Sequence, residues 1–478
     1  MRSILRRWPV FLPVIAIVFC SGLTMAWGQE QLSPYLMTDP GYANAVGLNQ
    51  GATGMPAARA NHRMVSSSFN ADEPSLAERV ADLESRLAAA DKKAAAVKKK
   101  AAGKPSVSAG GRLFWDFGNF TQDANSFAQV GNAENGVEPR TARIFVKGTA
   151  FDVFDGVVEM AFEPSNGETS FKNVYFTVNE LPLLGSVRVG HYKEPFSLEQ
   201  LTSNRWMTFM ERSVADVFTP ARNVGVMAFD VSESERMTWA IGAFVDQMDD
   251  KPPLDHGDHT ATAVTMRWTF LPWYDEATEG RGLLHTGISY SYRDAADSQV
   301  RFRQRPEAHL GPYVVNTDYM DAESYQLLAA EMAFVYGPFS VQSEYIGAYV
   351  DRIGAPNANF NGVYVYTSYF LTGEHRPYKR SGGVFDRLKP FENFFRVRDA
   401  DGYVQTGKGA WELAYRYSYL DLNDAGILGG RVSDHTFGVN WYLTPYTRLM
   451  FNYVDSTLYD AGLEGNMDIF EMRAQMDF

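Results

Sequence analysis

The basic residues best suited to hold anions are concentrated in a stretch without strand pattern, within Val187 to Phe229. Guanidinium and ammonium groups donate charged hydrogen bonds to oxyanions, and arginine can do so with two N–H groups at once. The stretch contains four bases and four acids: Lys193, Arg205, Arg212 and Arg222, and Glu194, Glu199, Glu211 and Asp216. A connection of about thirty residues is far longer than the usual loop of a compact domain. We therefore predict a loop folded into the mouth of a β-barrel, where it narrows a pore; a long surface loop is the alternative.

The chain from Val107 onward shows the period of two that is typical of strands. Sixteen strands are predicted, at 107–120, 140–152, 155–163, 171–179, 186–192, 223–231, 236–246, 261–271, 282–293, 324–337, 339–350, 361–371, 408–421, 432–444, 447–456 and 467–478. Several alternate as a lipid-facing wall requires, with Leu413 and Tyr415 on one face and polar residues on the other. Tight turns alternate with longer polar connections such as 351–360 and 457–466. The pattern predicts an all-β fold, a 16-stranded antiparallel transmembrane β-barrel.

The same alternation predicts which charged side chains face the lumen of this barrel. The inward-facing bases are Arg112, Arg143, Lys147, Arg188, Arg267, Arg293, Arg416 and Arg473. The inward-facing acids are Asp116, Glu159, Glu331, Glu344, Glu412, Glu471 and Asp477. Because the two sets nearly balance, paired ladders that only solvate the wall are the alternative to a selective ring of charge. An anion preference would then have to come from segments inserted into the lumen.

One connection on the side of the tight turns breaks the pattern, because Thr372 to Gly407 is thirty-six residues long. It contains five acids and also four phenylalanines, which a disordered linker would not need. Its seven bases are Arg376, Lys379, Arg380, Arg387, Lys389, Arg396 and Arg398. We predict a basic plug that enters the pore from the periplasmic side and offers its arginines to oxyanions.

The N-terminal quarter of the chain predicts three further segments. Residues 1–28 resemble an export signal, with three arginines before an apolar run and a small-x-small cleavage site. The one cysteine, Cys20, lies within it, so the exported chain would have no thiol. Residues 29–74 predict a flexible linker. Residues 75–102 predict a coiled-coil helix in the periplasm from their heptad pattern, with a solitary amphipathic helix as the alternative. The barrel itself is assigned to 107–478.

Several long blocks of the barrel region resemble the phosphate-selective porin O and P family of Gram-negative outer membranes. The resemblance covers about residues 107–478 and is densest in Val189–Phe209, Met210–Gly225, Tyr369–Pro390, Trp411–Asn423 and Phe437–Arg448. It implies a sixteen-stranded barrel, a homotrimer, and loops from both faces folded into the lumen around an anion site lined by arginine and lysine.

The resemblance also bears on the ligands of that site. Phosphate-selective members have lysines in the constriction loop, whereas the comparable stretch 198–205 of this chain has the neutral residues Gln200 and Asn204. The donors left in that stretch are Thr202, Ser203 and Arg205. A site built on guanidinium and hydroxyl groups is therefore expected here.

The sequence predicts an outer-membrane porin for passive diffusion of small anions, such as phosphate. Its expected partners are these anions, outer-membrane lipid and two further copies of the chain. A weakly selective or sugar-conducting porin, and a barrel that anchors a structural coiled coil, are the alternatives. The net charge of -13 argues against nucleic-acid binding.

An enzyme is the remaining class, and the chain gives little support for one. A barrel-embedded hydrolase would need a Ser–His–acid set, and no GxSxG or metal-protease spacing occurs. Asp255, His256, Asp258 and His259 could form a metal cluster, but loop polarity is the commoner cause of such a group. We predict no catalytic residue, no metal and no cofactor.

Overall fold

A computed structural model describes residues 105–163, 168–246, 261–398 and 402–478. The signal peptide, linker and coiled-coil helix predicted at 1–102 lie outside the described residues, and so does the loop with the two histidines. Those expectations therefore stay predictions. Within the described part, no helix is long and apolar enough to cross a membrane.

Sixteen long strands form one closed antiparallel sheet. They are β1 (Ser106–Gln122), β2 (Gly136–Ala150), β3 (Phe154–Glu163), β4 (Glu168–Leu181), β5 (Gly185–Lys193), β6 (Arg222–Val231), β7 (Met237–Asp246), β8 (Ala261–Tyr274), β9 (Gly282–Asp294), β10 (Met320–Tyr336), β11 (Phe339–Arg352), β12 (Ala358–Phe370), β13 (Ala410–Asp424), β14 (Ile427–Thr444), β15 (Thr447–Asp460) and β16 (Leu463–Asp477). The barrel closes because β1 pairs with both β2 and β16, for example at Arg112 opposite Asp477. All the predicted strands are present with ends displaced by a few residues, so the 16-stranded barrel is confirmed.

Short helices, 3₁₀ turns and short strands lie in the connections between these strands. They are the helices α1 (Ala124–Val130) and α2 (Leu198–Leu201), 3₁₀ turns at Val214–Phe218, Glu276–Thr278, Ala296–Ser298 and Arg380–Gly382, and short strands at Gln299–Val300, Arg303–Gln304, Val315–Asn316, Tyr378–Lys379, Val384–Phe385, Phe395–Arg398 and Val404–Gly407. We call the end of the barrel with the Pro445–Tyr446 turn the turn side, and the opposite end the loop side.

Several loop-side connections are shorter than the sequence predicts, including two that it predicts as long polar loops. Ala461 and Gly462 alone join β15 to β16, with φ of 49° and 83°. Two successive left-handed residues make the hairpin turn that matches the twist of the strands. The connection predicted at 351–360 is likewise reduced to residues 353–357. The predicted loop bounds were wrong because strands that extend beyond the apolar belt no longer need an apolar outward face. Their polar ends therefore lack the alternation of a lipid-facing strand and were assigned to loops.

The outward face of the barrel is apolar and aromatic. In β1, Leu113, Trp115 and Phe117 point outward with about 40% of their surface exposed, whereas Arg112 and Asp116 point inward and are buried. Large apolar side chains left in contact with the surroundings on every strand would be unfavourable in water. In a bilayer they are the expected surface of a spanning barrel, because lipid and lumen impose opposite polarity on alternate residues.

Within the described part of the barrel, one half of the lumen is open and the other half is filled. The loop at 194–221 and the segment at 295–319 fold inward from the loop side and pack against the inner faces of β8 to β16. The contacts are aromatic, with ring centroids 5.4 Å apart for Phe209 and Tyr366 and 5.1 Å for Phe218 and Phe302. This half of the lumen, which we call the packed half, is a hydrophobic core like that of a soluble domain.

The long turn-side connection divides into two parts. Its first part enters the lumen, where Val384–Phe385 pairs with Tyr378–Lys379 and Phe385 is buried. Its second part leaves the lumen and forms a hairpin at the rim, in which Phe395–Arg398 pairs with Val404–Gly407. The segment predicted as a plug therefore contributes only its first part to the interior.

Candidate functional site

The open half of the lumen is a cationic cavity of about 510 Å³ between the inner faces of β1 to β5 and the inserted loop. Its lining includes only two acids, Glu159 and Glu211. The bases that line it are Arg112, Arg140, Arg143, Lys147, Arg188, Lys193, Arg205, Arg212, Arg222 and Arg473. Although the whole chain is acidic, ten bases against two acids make this cavity strongly positive.

A second cavity of about 360 Å³ continues the first toward the loop side. The two cavities share Arg140, Glu211 and Arg212 in their linings. The second is also lined by Arg301, Arg303 and Arg305, at alternate positions of the segment 295–319. Since Lys147 and Arg188 lie near the turn-side ends of their strands, the cavities together form a basic route along the barrel axis.

Four bases of the first cavity make no ion pair with a carboxylate among the described residues: Lys147, Arg188, Lys193 and Arg222. Arg188 donates Nε to the Thr177 hydroxyl over 3.1 Å, and its guanidinium lies 4.2 Å from the centroid of the Tyr175 ring. Arg222 donates Nε to the Asn173 side-chain oxygen over 3.0 Å. Lys193 donates to the carbonyl of Gln200. Neutral partners orient Arg188, Lys193 and Arg222 without forming an ion pair, so the charges of these groups remain available to an anion.

The acid Glu159 sits in the wall of the first cavity and engages several of its donors. It accepts hydrogen bonds from Arg112 and Asn173, and one of its oxygens lies 3.8 Å from Arg143 Nη1. A fixed carboxylate in this place competes with any mobile anion for the same N–H groups. Glu159 therefore lowers the positive charge that this part of the wall presents to the cavity.

Replacing Glu159 by glutamine is expected to tighten anion binding. One charge at 4 Å is worth about 1 kcal/mol in water-like surroundings, which is about fivefold in a binding constant. Phosphate should then block single-channel chloride current at about one fifth of its concentration for the unmodified chain. Glu233→Gln, on the exposed turn after β6, is the matched control and should change nothing. Equal block by phosphate in both variants would contradict this role of Glu159.

The second acid, Glu211, holds the inserted loop to the wall. It accepts two hydrogen bonds from Arg140, of 2.8 and 2.9 Å, and one of 2.7 Å from Arg473. Arg473 in turn makes a two-point contact with Asp116. Burial alone would raise the pKa of Glu211, but the two guanidinium groups outweigh burial and hold this pKa well below its usual range. Glu211 thus stays ionised and keeps Arg140 and Arg473 in place.

Eight of the fourteen residues proposed from the sequence line the first cavity: Arg112, Arg143, Lys147, Arg188, Lys193, Ser203, Arg205 and Arg212. Of these, Arg205 lies 3.7 Å from Asp477 and is stacked on the ring of Trp206 at 4.9 Å. Thr202 lies beside this group but is buried, and its hydroxyl donates to the Leu198 carbonyl over 2.8 Å.

Two proposed residues, Arg267 and Arg416, lie in the packed half instead. Arg267 donates Nε to Glu331 and Nη2 to the carbonyl of Gly383, each over 2.8 Å. Arg416 is fully buried and donates Nε to Glu307 over 2.9 Å. Both point inward as predicted, but inserted segments cover the wall there. A buried guanidinium must be paired, so these arginines hold the inserted segments rather than face the open cavity.

The three proposed residues of the turn-side segment also lie outside the cavity. Arg376 is buried, with its guanidinium 3.5 Å from the Phe385 ring centroid. Arg380 pairs with Glu276 over 2.8 Å, and Lys379 is exposed. The three side chains therefore face either the buried Phe385 ring or the turn-side surface, and not the first cavity.

Sequence reasoning missed the three arginines of the segment 295–319. Arg303 and Arg305 lie 4.2 and 4.5 Å from the centroid of the Tyr313 ring, and Arg301 lies 4.3 Å from that of Tyr319. Their spacing of two residues was the available signal, because it places all three on one face of an extended segment. Arg140 was missed because strict alternation from Arg143 places it on the outer face, whereas the strand register shifts between Glu138 and Thr141.

A closed sixteen-stranded barrel with an apolar outer face and a polar passage through it is the architecture of an outer-membrane porin. The family model of phosphate-selective porin O and P matches residues 107–478, and the chain belongs to that family. The resemblance noted in the sequence is thereby confirmed, and the outer membrane is the location it indicates. The fold and family indicate a channel rather than an enzyme.

Among curated relatives, Porin O of Pseudomonas aeruginosa is 26% identical over 379 residues, which cover 72% of this chain and 81% of that protein. An uncharacterized protein of Caulobacter vibrioides is 29% identical over 331 residues, or 66% of this chain and 62% of that one. Among solved structures, an anion-selective porin from Comamonas acidovorans matches with a TM-score of 0.49 and 11% identity over 78% of this chain and 100% of its own. The trimer form of Vibrio cholerae OmpT matches with a TM-score of 0.48 and 13% identity over 78% of this chain and 99% of its own.

Proposed function

We propose that this porin conducts small anions by passive diffusion, with phosphate or a similar oxyanion as the solute. The observation that carries the proposal is the lining of the first cavity, where, among the described residues, ten bases face two acids and four of the bases make no ion pair with a carboxylate. A positive, low-dielectric passage concentrates anions and repels cations. The acidic charge of the remaining chain does not oppose this, because exposed charges are screened beyond about 8 Å in physiological salt.

The proposed path has several weak sites in sequence rather than one strong site. An anion entering from the loop side meets Arg301, Arg303 and Arg305, then Arg212 and Arg140 where the two cavities adjoin. It continues to the bases near the two ends of the inserted loop and leaves past Lys147 and Arg188 on the turn side. Multiple sites of moderate strength allow an ion to enter and still leave.

The centre of the path has the donors that an oxyanion needs. Lys193 and Arg222 lie opposite each other on β5 and β6. Arg112 lies nearby and donates a hydrogen bond to the side-chain oxygen of Asn204 over 2.6 Å. Arginine offers planar, directed N–H groups that suit carboxylate, phosphate and sulfate alike. The proposal is therefore an oxyanion path built mainly on guanidinium groups, without lysines at positions 200 and 204.

A sugar-conducting porin would need exposed aromatic faces along the lumen. Phe145 and Tyr175 do line the first cavity. However, the Tyr175 ring is covered by the Arg188 guanidinium, which leaves it unsuited to stack on a sugar. The aromatic residues here support the charged groups, so we favour the anion path.

Reversal potentials across a planar bilayer in a KCl gradient test the proposed selectivity directly. The sign expected is that of a channel more permeable to chloride than to potassium. Phosphate added in competition should reduce the chloride current. A cation-selective sign would contradict the proposal, and an anion-selective channel indifferent to phosphate would restrict it to other anions.

The assembly of the porin is a further part of the proposal. We propose a homotrimer in the outer membrane, on the strength of the family, with the coiled coil at 75–102 in the periplasm. Deleting 75–102 and measuring trimer content and single-channel conductance separately tests the division of roles. Loss of the trimer with unchanged conductance would assign the helix to assembly, whereas unchanged trimer content would refute that role.

A further inference from the structure

The second part of the turn-side segment exposes an unusual number of aromatic side chains. Phe391 is 65% exposed, Phe395 58% and Tyr403 73%. All three belong to, or directly adjoin, the hairpin formed by Phe395–Arg398 and Val404–Gly407, which we call the rim hairpin. In the same connection Phe385 is buried inside the lumen. Phenylalanines exposed on a short hairpin cost free energy in water, so their exposure indicates that something other than water covers them.

The rim hairpin is attached to the outer wall of the barrel. The backbone N–H of Phe394 donates to the carbonyl of Leu443 over 2.7 Å, at the turn-side end of β14. The ring of Phe394 lies 4.6 Å from that of Trp441 in an edge-to-face contact, and Trp441 stacks on Trp411 at 4.9 Å. The Trp441 indole N–H donates to the carbonyl of Lys408 over 2.8 Å.

The direction of these tryptophans fixes the side on which the hairpin lies. In β14, Asn440 and Tyr442 point inward and are buried, and Asn440 donates to the Thr208 carbonyl of the inserted loop. Trp441, between them, must point outward. The aromatic contacts of Phe394 therefore lie on the lipid-facing surface, next to the apolar wall formed by residues such as Phe437.

We propose that the rim hairpin is a membrane-interface element that rests in the headgroup region of the periplasmic leaflet. Phenylalanine, tyrosine and tryptophan side chains are favoured at this depth, where one end of a ring meets acyl chains and the other meets water. The exposed bases Lys389, Arg396 and Lys408 flank the aromatic residues and can extend toward lipid phosphates. The hairpin thereby widens the turn-side aromatic belt of one stretch of the wall and anchors the connection that continues into the lumen.

Lipid is the occupant that the contacts favour over a second copy of the chain. The ring of Phe395 lies 5.9 Å from that of Phe394, which contacts Trp441 on the outward face of β14, and the bilayer already covers that face. The inference rests on the outer-membrane location and is independent of the anion preference, so a cation-selective channel would leave it unaffected.

Spin labels on single cysteines test the proposal in the full chain reconstituted in vesicles of phosphatidylethanolamine and phosphatidylglycerol. Cys20→Ser removes the one native thiol. Labels are then placed by Phe395→Cys and, on the other arm of the hairpin, Tyr403→Cys. Phe437→Cys on the lipid-facing wall and Glu233→Cys on an exposed turn are the two references, and circular dichroism confirms that each variant is folded.

The ratio of oxygen accessibility to nickel-chelate accessibility is the quantity measured. We expect the hairpin labels to give a ratio several-fold above that of Glu233→Cys and below that of Phe437→Cys, as a position at headgroup depth requires. A ratio equal to that of Glu233→Cys would overturn the proposal, because the hairpin would then lie in water. Dipolar broadening that disappears when labelled chains are diluted with unlabelled ones would also overturn it, because a second copy would then cover the hairpin.

Discussion

A channel in which Lys193 and Arg222 are both replaced by glutamine is expected to lose most of its anion preference. The two groups lie opposite each other on β5 and β6 and donate their hydrogen bonds to neutral groups, so neither charge is taken up in an ion pair among the described residues. Each charge contributes about 1 kcal/mol to an ion at 4 Å even in water-like surroundings. Together they correspond to about a thirtyfold change in phosphate binding. Reversal potentials and the concentration of phosphate that halves the chloride current measure the two effects.

The matched control replaces Lys379 and Arg380 by glutamine. This pair has the same charges but lies on the turn side, outside the cavity, where Arg380 is already paired with Glu276. Its selectivity should stay close to that of the unmodified chain. If the control pair changed the reversal potential as much as the cavity pair, selectivity would arise from the general charge of the barrel and the proposed path would be wrong.

The strands of this protein could be predicted from sequence because the membrane enforces a strict alternation. Leu113, Trp115 and Phe117 face lipid while Arg112 and Asp116 face the lumen, and no other arrangement satisfies both surroundings. The signal weakens where the strands leave the bilayer. The turn at Ala461 and Gly462 was missed for that reason, since outward residues near it such as Thr457 and Asn466 are polar, while the inward Leu458 and Met467 are buried and apolar.

The candidate site was predicted less well, because alternation identifies the inner face but not what covers it. Arg188 and Arg416 have equivalent inward positions on their strands. One lines the cavity and the other is buried beneath the inserted loop. The difference depends on contacts between distant parts of the chain, such as that of Arg416 with Glu199, which is 217 positions away. No local pattern contains that information.

The buried ion pairs of the packed half explain how so long a loop can hold a fixed position inside a pore. The carboxylate of Glu194, at the start of the loop, accepts two hydrogen bonds from the Arg293 guanidinium, of 2.8 and 3.1 Å. The backbone N–H groups of Leu198 and Glu199 donate to Glu344 over 3.0 and 2.7 Å. Removing one partner of such a set leaves a charge buried without compensation, which costs more than the pair itself contributes. The loop is therefore fixed at several points, and each point is a place where a substitution should release it.

Replacing Arg416 by methionine is expected to cause the largest loss of stability. Arg416 is fully buried and joins three inserted groups: Glu307 at 2.9 Å, Glu199 at 3.2 Å and the Glu211 carbonyl at 3.1 Å. Methionine fills the space but leaves two buried carboxylates without a cation, which costs about 3–5 kcal/mol. The inserted loop should then detach from the packed half. Single-channel recordings should show a larger and noisier conductance with weaker selectivity, and the urea midpoint of unfolding should fall.

Two further variants separate the lost ion pair from a general defect in packing. Arg431→Met, on the adjacent strand, removes an arginine that lies 4.3 Å from the Tyr459 ring centroid, and it should leave conductance and unfolding nearly unchanged. Adding Glu307→Gln to Arg416→Met removes one of the uncompensated charges, so it should recover part of the lost stability. If Arg416→Met instead conducted and unfolded like the unmodified chain, the loop would not depend on this ion pair. The buried guanidinium would then be a consequence of the packed half and not one of the contacts that maintain it.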